Sequence, residues 1–130
     1  MDGPAQSHAL GDPDEISRRL DRADARLARM TRSHAELDRV MAGVRITESD
    51  PTDAVRVTVD AEGKVLDVVT TPAVTRLPAE RIGPVVRDCL HRAQARIADE
   101  IAALAGQVVG ENDEMAEHVV ATMRERFPAP

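Results

Sequence analysis

Between Ala54 and Pro72 the chain reads AVRVTVDAEGKVLDVVTTP, and this stretch restricts the possible folds more than any other. Val55, Val57 and Val59 alternate with Arg56, Thr58 and Asp60, a period of two that gathers side chains on one face only in a pleated strand. Glu62-Gly63 supplies a turn, because glycine takes a positive φ without steric cost, and Lys64 to Thr71 returns rich in β-branched residues. The pattern predicts a hairpin with Val59 opposite Leu66, Val57 opposite Val68 and Val55 opposite Thr70. A slip of one residue would set Asp67 against Val57. Val65 and Val69 then point to the other side, which needs a cover of its own, such as a second copy of the chain. A two-stranded hairpin alone does not survive in water.

The flanking segments carry helical signals. Asp12-Pro13-Asp14-Glu15 writes a helix start, with Asp12 as N-cap, Pro13 in the first turn and Glu15 placed as in a capping box. From there Ile16, Leu20, Ala23, Leu27, Met30, His34, Leu37, Met41 and Val44 recur at alternating steps of four and three, the spacing of a coiled-coil seam. The helix should run to about Ala42 and stop at Gly43. Its length, about 45 Å at 1.5 Å per residue, exceeds what so small a domain can cover, so part of it should project or pair with another helix. His34 sits in this seam as a tolerated polar residue.

Val44 to Thr47 is a short strand candidate, and the acidic loop Glu48 to Asp53 leads from it into the hairpin, giving three antiparallel strands. After Pro72 a connector reaches Pro78, and the next helix begins there with a kink at Gly83-Pro84, or begins only at Pro84. Val86, Cys89, Leu90, Ala93, Ile97, Ile101, Leu104 and Val108 form its apolar stripe, expected to pack on the sheet. Asn112 should cap a last helix with Met115, Val119, Met123 and Phe127 on its apolar side. The expected organisation is a disordered lead-in over 1–11, an α-β-β-β-α domain over 12–110 and an acidic helix and tail over 111–130.

Composition excludes several functions. With no Trp, no Tyr and one Phe, the chain lacks the aromatic platforms on which single-stranded nucleic acids stack. Cys89 is the sole cysteine and falls in an apolar helical stripe, where a small buried hydrophobe is expected rather than a nucleophile. His8, His34, His91 and His118 show no metal-ligand spacing, and there is no phosphate loop, dinucleotide fingerprint or nucleophile constellation. No enzyme activity, cofactor, metal or small-molecule substrate is expected. No apolar run is long enough to cross a bilayer and no leader is written at the N-terminus, which fits a cytoplasmic protein.

The formal charge of -6 is unevenly spread. Residues 15–45 hold 8 Arg against 5 acids, net +3; residues 46–80 are net -4 and residues 108–130 net -3. Any anion-binding surface is therefore local.

The order long helix, three short strands, long helix, carried by AVRVTVDAEGKVLDVVTTP and the following VVRDCLHRAQARIADEIAAL, resembles the YbaB/EbfC family of bacterial nucleoid-associated proteins over about Ile16 to Leu104. Two features depart from the family pattern: the loop Glu48 to Asp53 is acidic where the family's is Gly-rich, and the acidic segment from Glu111 onward looks like an addition. The resemblance implies a homodimer built through the sheets, non-enzymatic binding to double-stranded DNA and a place in the nucleoid. Dimer contacts would fall on Leu20, Leu27, Met30, Leu37, Val55, Val57, Val65 and Val69. Phosphate contacts would fall on Arg19, Arg22, Arg26 and Arg29, which share one flank of the first helix, with Arg18 and Arg32 nearby. Asp21, Asp24, Glu15 and Glu36 are interleaved, so the same arginines could instead form solvated helix salt bridges. An adaptor dimer of the same fold with little DNA affinity is the alternative, and the acidic loop and tail favour it.

Overall fold

A computed structural model describes residues 11–110 and 113–130. The lead-in over residues 1–10 and the expected cap Asn112 lie outside the described residues. The chain divides into two compact units, one ending at His34 and the other spanning Ala35–Pro130.

Helix α1 covers Pro13–Ala42. Asp12 opens it as expected, its carboxylate accepting from the Asp14 amide at 3.0 Å while its carbonyl accepts from Ile16. Glu15 does not reach back to the cap. It pairs instead with Arg18, Arg19 and Arg22, because charge-assisted bonds to three guanidinium groups outcompete one backbone amide.

The second unit holds the sheet and the remaining helices. Strands β1 (Ile46–Ser49), β2 (Val55–Val59) and β3 (Val65–Thr70) form an antiparallel meander in the order β1-β2-β3. Val55 pairs with Thr70 and Val57 with Val68, as the alternation predicts, but Val59 pairs with Val65 rather than Leu66 across an irregularity at Thr58/Val59. The cause lies in the turn. The Asp60 carboxylate accepts from the amides of both Glu62 and Lys64, each at 2.9 Å, and this local bonding draws the return strand in early.

Helix α2 (Ala79–Ala95) starts after Pro78 and continues past Pro84, so of the two alternatives left open by the sequence the start near Pro78 is the observed one. Proline there forfeits only the bond to the residue 80 carbonyl, in a turn that is largely exposed. A single residue, Arg96, separates α2 from α3 (Ile97–Val108), so the long second helix is bent. Cys89 and Ala93 of α2 are fully buried over β2, whose Val55, Val57 and Val59 are themselves fully buried, and Ile97 and Ile101 of α3 are fully buried in the same core. Each of these valines and isoleucines contributes about 1.5–3 kcal/mol on burial. The stripe thus packs as expected except at its end, where Val108 is exposed.

Helix α4 (Glu114–Arg126) returns along α3. Asp113 caps it, accepting from the Ala116 amide at 2.9 Å, and Ala116 and Met123 are its buried residues. Phe127 ends the helix against the hairpin turn. A Cβ on Gly63 would overlap the Phe127 ring, and the Gly63 carbonyl accepts from the Gln94 side chain at 3.1 Å. Among the described residues no helix is long and apolar enough to cross a membrane.

Candidate nucleic-acid interface

The six arginines singled out by the sequence all lie on α1. At about 100° per residue, Arg18, Arg19, Arg22, Arg26, Arg29 and Arg32 occupy an arc of about 140°, and Asp21 and Asp24 fall outside it. From Arg18 to Arg32 the arc extends about 21 Å along the axis, comparable to six base-pair steps of duplex. All six side chains are exposed.

Their partners differ along the helix. Arg18, Arg19 and Arg22 share one carboxylate, Glu15, at 3.0, 3.3 and 3.6 Å. Arg18 and then Arg19 hold the Glu15 carboxyl below its usual value, so it stays ionised near neutral pH. Arg26, Arg29 and Arg32 have no carboxylate partner among the described residues. The arc therefore carries an uncompensated positive charge, densest in its C-terminal half.

Other arginines are committed to the fold. Arg92 donates to the Ser49 carbonyl at 3.0 Å, and Arg96 donates to the Thr47 carbonyl at 3.2 Å and to Glu48 at 3.1 Å. These two pin edge strand β1 to the helices. Nothing in a spacing of four residues reveals a partner more than forty residues away.

The stretch expected as an acidic loop over Glu48–Asp53 begins inside β1, and arginines outside it pair with two of its acids. Glu48 faces Arg92 and Arg96, and Asp53 pairs with Arg56 at 2.8 Å, which lowers the Asp53 carboxyl and raises the guanidinium. Asp50 is buried and accepts from the Val55 amide at 2.7 Å and from both the amide and hydroxyl of Thr52. Burial would raise its carboxyl, but these bonds outweigh it and hold the value at about 2.

The residues expected at a dimer contact separate into two groups. Leu37, Val55 and Val57 lie in the protomer's own core, at 2% exposure or less. Leu20, Leu27 and Met30 are 60%, 63% and 53% exposed, and Val65 and Val69 lie on β3, an edge strand with all six residues exposed. Heptad spacing cannot tell a residue that packs inward, such as Leu37, from one that does not.

Cys89 is buried, and burial raises its thiol; among the described residues no three His, Cys, Asp or Glu side chains are gathered to hold a metal ion. Exposed arginines gathered on one helix flank give the scaffold a local cationic surface. Residues 17–112 match the model of the YbaB/EbfC DNA-binding family, and the chain belongs to that family. No curated protein and no solved structure matches. Helix α4 lies beyond the matched range.

Proposed function

We propose that the protein is a homodimeric, non-enzymatic, nucleoid-associated protein that binds double-stranded DNA through the arginine arc of α1. Family membership supplies the ligand class, and the observation that carries the site is the absence of any carboxylate partner for Arg26, Arg29 and Arg32 among the described residues. Contacts of this type neutralise phosphates and release counterions, giving salt-sensitive binding with little base reading. Arginine suits the role because its planar fork meets phosphate oxygens in pairs.

Dimerisation runs through β3. Its outer edge offers unpaired backbone groups together with Val65, Leu66, Val68 and Val69, each 41–44% exposed, a combination that other chains pair with readily. The open face of the sheet is polar, with Thr47 hydrogen-bonded to Thr58, so the strand edge suits a partner better than the face does. Two copies double the arginine arc.

The adaptor reading draws on the net charge of -6 and the exposed Glu114, Glu117 and Glu125 of α4. A mobility-shift assay on duplex DNA separates the two. The wild type should shift DNA at low salt, and a variant with Arg26→Glu, Arg29→Glu and Arg32→Glu should not, at unchanged solution mass. Absence of a wild-type shift would leave the adaptor reading in place, and an equal shift by the variant would place DNA binding outside the arc.

A further inference from the structure

The sheet has two outermost strands, β1 and β3, and their free edges are finished differently. In an antiparallel pair, alternate residues turn their amide and carbonyl towards the neighbouring strand, and the residues between them turn theirs away. The Asp50 amide donates to the Val55 carbonyl, and the register sets Glu48 opposite Val57 and Ile46 opposite Val59. Ile46, Glu48 and Asp50 therefore bond inward to β2, and Thr47 and Ser49 present their carbonyls on the outer side. Both carbonyls are occupied. Arg96 donates to that of Thr47 at 3.2 Å and Arg92 to that of Ser49 at 3.0 Å.

The spacing makes this possible. Helix α2 packs over β1 and β2, and Arg92 and Arg96 lie four residues apart at its end, about 6 Å along the axis. Thr47 and Ser49 are about 6.8 Å apart along the strand, so one helical turn serves both outward carbonyls. Glu48 stands between the two guanidinium groups, 3.1 Å from Arg96 and 4.0 Å from Arg92, and aligns them over the edge. On β3 the Thr71 amide donates to the Ala54 carbonyl and Val69 lies opposite Arg56, so Val68 and Thr70 are the residues that face outward. Among the described residues no hydrogen bond from outside the sheet reaches the backbone of either one.

We infer that Arg92 and Arg96, aligned by Glu48, close the β1 edge to strand addition, so that assembly through the sheets runs through β3 alone and stops at two copies. The inference rests on the β3 dimer proposed above and adds why growth ends there. Two β3 edges joined about a two-fold axis consume each other and leave nothing to extend. An open β1 would leave every dimer with two further edges, and strand addition would continue without closure. The guanidinium groups prevent it by filling the acceptors that an added strand's amides would need and by placing charge where that strand would lie.

Light scattering over a concentration series, on the full chain carrying Arg92→Met and Arg96→Met, tests this. Methionine keeps an apolar stem and removes the donors, and losing two cations takes the net charge of -6 further from neutrality, which by itself opposes association. The expected result is a mass above two chains that rises with concentration, where the wild type stays level. Adding Val68→Pro, which removes an outward amide of β3, should hold the variant at two chains or fewer, since only β1 edges then remain. A double variant that keeps the wild-type mass at every concentration would overturn the inference. Growth that Val68→Pro does not limit would be unspecific aggregation and would overturn it as well. A wild type at the single-chain mass would remove the β3 dimer, while growth of the double variant would still show that the arginines close β1.

Discussion

Glu15 is the carboxylate that three arginines of the arc share, and its replacement by glutamine makes the sharpest functional prediction. The substitution removes one negative charge from the N-terminal half of the arc in each protomer and releases Arg18, Arg19 and Arg22 from pairing at 3.0–3.6 Å. If the freed arginines neutralise one additional phosphate in each protomer, the dimer neutralises two, which steepens the slope of log K against log salt by about 1.8 for duplex DNA. Between about 50 and 200 mM salt, the variant should lose roughly tenfold more affinity than the wild type loses, and it should start from tighter binding. The carboxyl is held below its usual value by Arg18 and Arg19, so it stays ionised across a salt series at neutral pH. Fluorescence anisotropy on a labelled duplex across a salt series gives both slopes. Identical slopes and affinities would refute the reasoning, because they would mean that the N-terminal half of the arc never meets phosphate.

Two further predictions concern the fold that carries the site. Gly63 has φ +81° and faces the Phe127 ring, so Gly63→Ala should cost roughly 1–2 kcal/mol for the left-handed backbone. It should cost more than that while the ring is present and less in a Phe127→Ala background, a coupling that urea unfolding of the four chains measures; additive losses would contradict the contact. Asp50→Ala should cost about 1–3 kcal/mol, because the Val55 amide loses its buried acceptor. Since the folded carboxyl is lowered from 3.8 to about 2, its contribution is present above the higher value and disappears as pH falls through the lower one. The gap in stability between wild type and variant should therefore close towards pH 2, and a gap that persisted unchanged would show that the charge is not what holds the loop.

Sequence periodicity carried the architecture but not the local chemistry. Alternation in VRVTV placed two of three cross-strand pairs correctly, because one face of β2 is buried and a slip would bury Asp67. The third pair moved because Leu66 and Val65 are both apolar and pattern alone cannot choose between them, whereas the Asp60 carboxylate does. The bend at Arg96 has no proline or glycine to announce it. Asp113 took the capping role because its carboxylate reaches the Ala116 amide, an equivalent choice by residue type to its neighbour Asn112. The arginine arc was visible as spacing, but its division into a shared half and an unpartnered half depends on where one glutamate side chain turns.

The proposed dimer rests on the open edge of β3 and on the exposed apolar stripe of α1. Multi-angle light scattering on the full chain over a dilution series addresses this directly. The predicted result is twice the 14.1 kDa chain mass, maintained on dilution into the micromolar range. A folded species at the single-chain mass, stable at every concentration, would contradict it.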